Sequence, residues 1–219
     1  MPDASPDHSV DLLERLAHDL RGPLSPLQTA AYLLRRDDVD PQRQKELLEI
    51  IDRQTSRLSG MVQEVSDWMR ARKARLVGTK EPLGVPMLVE LVCATRPAVS
   101  VDLPESLDEA NVLGDAQRLT QMLGTLLDWA QALDPQGTIT LRASRDGEVL
   151  SLRLAAPPVE GGMVQLDGLF RMPQAVPFDE GLGMRLLIAR EIATAHGGEI
   201  TGEGGTDGTT VVVRLPLDE

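Results

Sequence analysis

From residue 9 to residue 36 apolar side chains recur at three- and four-residue steps: Leu12, Leu13, Leu16, Leu20, Leu24, Leu27, Ala31 and Leu34. That spacing predicts an amphipathic helix. Pro23 and Pro26 are expected to interrupt it, because an internal proline removes a hydrogen bond and kinks the helix. Asp37-Asp38-Val39-Asp40-Pro41 predicts a turn ending in a new helix start. A second helix is predicted over 41–76, with Leu47, Ile50, Ile51, Gln54, Leu58, Met61, Val62, Val65, Trp68 and Met69 in its stripe. Two long helices joined by a short turn predict a hairpin. Each stripe is wider than one partner covers. Two hairpins paired about a two-fold axis then predict a homodimeric four-helix bundle. The alternative is a monomer whose second domain covers the stripe.

The pattern changes after residue 77. Residues 78–86 carry the Gly and Pro of a linker. A short helix is predicted over 87–95, with short strands over 99–103 and 111–113. A clear helix follows over 115–133, with Leu119, Met122, Leu123, Leu126, Leu127 and Ala130 on one face. Residues 138–144 and 149–155 alternate like a hairpin around Asp146-Gly147. A loop-rich stretch (157–179), a helix (181–196) and two strands (199–201 and 209–215) complete the chain. Helices mixed with mainly antiparallel strands predict an α/β sandwich with helices on one face of a sheet. The expected organisation is α+β: a flexible tail (1–8), a helical hairpin (9–77), a linker (78–86) and a sandwich domain (87–219).

Composition narrows the partners. The 219 residues suffice for one large or two small domains, and aromatics are only 2%, so aliphatic side chains must fill the core. A net charge of -12 argues against nucleic acid or an anionic membrane, since phosphate binding needs a basic face. The cluster Arg70, Arg72, Lys73 and Arg75 reads as a solvated helix end favoured by the macrodipole. The single cysteine, Cys93, excludes an intrachain disulfide. No apolar run approaches the roughly 20 residues that span a bilayer, and the acidic start is not a signal peptide. A cytoplasmic protein without a separate sensor domain is expected.

The candidate chemistry begins at His18, one of three histidines. It stands in Ala17-His18-Asp19-Leu20-Arg21-Gly22-Pro23-Leu24 on the first helix. A neighbouring carboxylate can bind one ring N–H, fix the tautomer and leave the other nitrogen as a nucleophile. The run resembles the phospho-acceptor box of two-component histidine kinases, in the dimerisation and phosphotransfer domain of the HisKA type. The resemblance implies His18 as phospho-acceptor and Asp19 as the acidic residue that assists it. It also implies a response-regulator receiver domain as partner. Gly22 stands where the family commonly has a Thr or Asn that positions water for phosphatase activity, so that activity is expected to be weak.

The second domain resembles the GHKL-type ATP-binding domain of the same family. The match is Glu180-Gly181-Leu182-Gly183-Met184-Arg185-Leu186, then Ala195-His196-Gly197-Gly198-Glu199-Ile200, then Gly208-Thr209-Thr210-Val211-Val212-Val213. Glycines at a helix N-terminus let phosphate approach backbone N–H groups. Gly181 and Gly183 are therefore the candidate phosphate loop, weak or vestigial. His196 reads as structural. The departures lie at the nucleotide contacts. Thr125 and Trp129 fall on the two Asn positions of the family's metal-binding helix, and tryptophan offers no ligand oxygen. No Asp follows the strand at Ala156, where the family reads adenine. Asp179 replaces the first glycine of the loop and is expected to be an unpaired, repulsive charge. Each lost hydrogen bond to a charged group costs about 1.5–3 kcal/mol, roughly ten- to a hundredfold in affinity.

The leading expectation is a dimeric histidine phosphotransferase with an impaired ATP site, no metal site and no resident cofactor. One alternative is an ATP- and Mg-dependent autokinase in which Asp128 or Glu160 takes over a ligand role. Another is a non-enzymatic interaction module.

Overall fold

In the computed structural model the described residues are 8–36, 39–156, 168–205 and 208–218. They form two compact units, one of Met1–Val65 with Glu180–Leu182 and one of Ser66–Asp179 with Gly183–Glu219.

The first unit is built on helix α1 (His8–Leu33) and most of helix α2 (Pro41–Arg72). Among its described side chains, α1 buries Leu16, Pro23 and Ala30, and α2 buries Leu47, Gln54 and Met61, with Glu64 buried outside that series. Both sets step by seven, the repeat that keeps one seam of two antiparallel helices in register. The prolines do not break α1, which runs through Pro23 and Pro26. Pro23 is buried and Pro26 is exposed. Asp40 caps α2 by accepting the Arg43 N–H at 3.0 Å.

The second unit takes the end of α2 and continues with a strand inside the segment expected as a linker. β1 (Glu81–Gly84) pairs antiparallel with β3 (Asn111–Gly114). Helix α3 (Val85–Cys93) follows with Pro86 in its first turn, where a missing N–H costs nothing. The main sheet has the order β2-β4-β5-β7-β6. Its strands are β2 (Val99–Asp102), β4 (Ile139–Asp146), β5 (Val149–Ala156), β6 (Glu199–Gly205) and β7 (Gly208–Pro216). β2 runs parallel to β4, and the other pairs are antiparallel. Helix α4 (Ala116–Leu133) and helix α5 (Arg185–Ala195) pack together, α4 over β4 and β5 and α5 over β6 and β7. α5 starts four residues later than its apolar pattern suggests, because residues 181–184 form the glycine turn. The expected apolar face of α4 is buried throughout. Leu123, Leu126 and Leu127 meet Leu141, Leu152, Leu154 and Val213 around a void of only about 10 Å³. The lining there is entirely aliphatic.

His196 joins the start of α4 to the end of α5. Its Nε2 accepts the Asp115 N–H at 3.0 Å, so Nδ1 carries the proton and donates to the Ile192 carbonyl at 2.7 Å. Asp115 in turn caps α4 by accepting the Arg118 N–H and also takes the Gly78 N–H. Burial depresses the His196 pKa below its ordinary 6.5, more than the Ile192 carbonyl raises it. The unfolded chain therefore takes up the proton first as pH falls. Stability is full above 6.5 and declines as the pH drops toward the lower folded value. The thermal midpoint of the wild-type chain is expected to fall between about pH 7.5 and about 5.5. In His196→Gln, which keeps a donor and an acceptor without the titration, that fall should shrink. An equal fall in both chains would assign the dependence elsewhere.

Candidate functional site

His18 lies near the middle of α1, and its side chain is 85% exposed. Nδ1 stands 3.1 Å from Oδ1 of Asp19. A carboxylate only accepts, so this contact selects the tautomer protonated at Nδ1. Nε2 then holds the lone pair, on a ring open to solvent. A side chain in place of Gly22, one turn on, would find nothing within 4 Å of its Cβ, so the face beside His18 is open as well.

The candidate phosphate loop is a tight turn. Gly183 has φ +77, and a Cβ there would stand 2.5 Å from the Gln174 carbonyl oxygen. Only glycine satisfies both conditions. The Gln174 N–H donates to the Gly183 carbonyl at 2.9 Å, which fixes the turn ahead of α5. On the other side, the Leu182 N–H donates to the Glu64 carboxylate at 3.0 Å.

The α4 positions that depart from the family pattern are filled from within. Trp129 is 2% exposed, and its ring meets Phe170 edge-on with centroids 6.5 Å apart. Thr125 is buried too. Asp128, about 100° round the helix from Trp129, accepts from Arg96 at 2.9 Å and from Arg185 at 3.1 Å. Asp179 corrects the expectation of an unpaired charge: it accepts from Arg185 Nη1 at 2.9 Å. Arg185 thus bridges two carboxylates while its guanidinium lies over the Phe178 ring at 5.4 Å. Burial disfavours its charge, but Asp179 first and then Asp128 outweigh that and hold the guanidinium above its ordinary range. Glu160, the other candidate substitute ligand, lies outside the described residues.

The motifs pointed to His18 with Asp19 and to Gly181 with Gly183 as candidates. Arg96, Arg185, Phe170 and Glu64 were not among them. Arg185 carried a signal: a cation in the first turn of a helix opposes the macrodipole and calls for carboxylate partners. Glu64 carried none, since it sits among the polar positions of α2.

Against known proteins, residues 9–73 match the His Kinase A (phospho-acceptor) domain, and residues 114–219 match the Histidine kinase-, DNA gyrase B-, and HSP90-like ATPase family. The chain is 27% identical to the sensor protein ChvG of Agrobacterium fabrum over 96% of its length and 40% of that protein's. It is 29% identical to a bacteriophytochrome of Pseudomonas aeruginosa over 94% of its length and 29% of that protein's. It therefore spans well under two thirds of these relatives. Among solved structures, the Acinetobacter baumannii histidine kinase AdeS shares the fold at TM-score 0.69 and 19% identity, covering 92% of this chain and 98% of that one. The histidine kinase ThkA, solved in complex with the response regulator protein TrrA, shares it at TM-score 0.71 and 21% identity, covering 94% and 61%. Among the described residues no helix is long and apolar enough to cross a membrane.

The burial of Trp129 gives a direct check. Trp129→Ala is expected to cost about 3–5 kcal/mol in urea unfolding, the range for emptying an aromatic core position. A loss below about 1 kcal/mol would place the ring at an open cleft instead.

Proposed function

Belonging to the two-component histidine kinase family, this chain acts, we propose, as a dimeric histidine phosphotransfer protein that exchanges phosphoryl groups with response-regulator receiver domains and does not load itself from ATP. The observation that carries the reading is the contrast between its two ends. The His18–Asp19 pair is exposed, whereas on α4 Thr125 and Trp129 are buried and Asp128 is paired with Arg96 and Arg185.

In the transfer, the Nε2 lone pair of His18 attacks the phosphorus of a receiver's aspartyl phosphate. The P–N bond forms as the P–O bond to the aspartate breaks, and the carboxylate leaves with the electron pair. The ring becomes positively charged, and Asp19 stabilises the N–H at Nδ1. The reverse sequence returns the phosphoryl group. The exposure of His18 supports this use, because a receiver must bring its own acidic pocket onto the ring.

The residues present do not fit Mg-ATP. Trp129 offers no oxygen where a metal ligand is needed, and its ring is packed against Phe170. Asp128 would have to release both Arg96 and Arg185 before it could hold a metal. No step is routed through a nucleotide.

A homodimer is supported by the second face of α2. Leu48, Val62 and Met69 are exposed at multiples of seven residues, with Leu24 and Tyr32 exposed on α1. A matching hairpin would cover them in a four-helix bundle. The net charge of -12 weighs against polyanionic partners, and exchange with receivers calls for a cytoplasmic location.

Incubation with γ-labelled Mg-ATP is expected to leave His18 unlabelled. Incubation with a phosphorylated receiver should label the wild-type chain and leave His18→Ala unlabelled. ATP-dependent labelling lost in His18→Ala would establish the autokinase instead, and failure with both donors would leave an interaction module. Gly22→Asn has room for its side chain, and an amide there can position water. It is expected to speed receiver dephosphorylation about tenfold or more, measured as release of inorganic phosphate.

A further inference from the structure

The glycine turn is held by two residues of α2 that lie seven positions apart, on one face of the helix. Arg57 Nε donates to the Glu180 carbonyl at 2.8 Å, and its guanidinium also faces the Glu180 carboxylate at 3.9 Å. Glu64 Oε1 accepts the Leu182 N–H at 3.0 Å. Glu64 is 6% exposed and Leu182 is 2% exposed, so the bond is shielded from water. The segment Glu180–Leu182 clusters with the hairpin unit accordingly.

The chemistry of that bond is specific. A backbone N–H in a glycine turn ahead of a helix N-terminus is a donor suited to an anion. Here the anion is a carboxylate of the same chain. A buried carboxylate is costly unless hydrogen-bonded, so Glu64 and the turn satisfy each other. A ligand phosphate and Glu64 cannot both hold the Leu182 N–H along the same direction.

We propose that Glu64 is an internal anion that occupies the glycine turn in place of a phosphate and, with Arg57, clamps Glu180–Leu182 onto α2. This rests on reading the turn as a former phosphate cradle. His18 remains 85% exposed with the clamp closed, so phosphotransfer does not require its release.

The test is amide hydrogen exchange on the full-length chain without nucleotide. In Glu64→Ala the Leu182 amide is expected to exchange about ten- to a hundredfold faster than in the wild type, the effect of losing one charge-assisted hydrogen bond. Glu64→Gln keeps an acceptor oxygen and the shape of the site, and should fall between the two, which also covers the case in which Glu64→Ala does not fold. Added inorganic pyrophosphate should slow the amide again in Glu64→Ala and leave the wild type unchanged. An unchanged Leu182 rate in both variants overturns the clamp. A fast amide that pyrophosphate does not slow overturns the claim that Glu64 stands in for a phosphate. Neither result bears on transfer between His18 and a receiver, which the labelling experiments decide separately.

Discussion

The second unit depends on one constraint: α4 must bury an aliphatic face against the five-stranded sheet. With aromatics at 2% of the chain, closure of that core falls to leucines, valines and isoleucines. Leu119, Met122, Leu123, Leu126, Leu127 and Ala130 meet it, and the phase of the helix follows. Once that phase is set, every other α4 side chain has an assigned direction. Thr125 and Trp129 turn into protein, and Asp128 reaches the edge where Arg96 and Arg185 wait. The state of these positions is therefore a consequence of core packing rather than a feature added to it.

Charge repeats the logic. Arg185 is shared by Asp128 and Asp179, and Glu64 is matched to a backbone donor. Removing one member of such a set leaves the others uncompensated, so these contacts resist stepwise reversal. A carboxylate that repels phosphate in the abstract becomes, once paired, part of a closed polar network. The same consideration applies to His196, whose neutral tautomer is imposed by a donor on one side and an acceptor on the other.

The first unit has the opposite character. Its seam is narrow, with buried residues at seven-residue steps, and further apolar residues remain exposed on both helices. The His18 ring is on the surface. In the proposed transfer that exposure lets the receiver supply the acid–base environment while the histidine supplies an oriented lone pair.

Local spacing was enough to predict the helical hairpin and the alternating strands, and adjacent residues marked His18–Asp19 and the glycine turn as candidates. Each is set by local spacing or by adjacent residues, and local rules are legible along a chain. Sequence alone misjudged or missed what depends on distant partners. The segment 78–86 looked like a linker, but β1 pairs with β3, about thirty residues away, and pairing of that kind leaves no periodic trace. Asp179 looked like a bare charge because its partner lies in the first turn of α5 and is shared with α4. Glu64 drew no reading among the polar positions of α2, yet it is buried against a turn more than a hundred residues downstream. These three follow from the folded chain, because strand pairing, charge pairing and burial are set by proximity in space, which the order of residues does not contain.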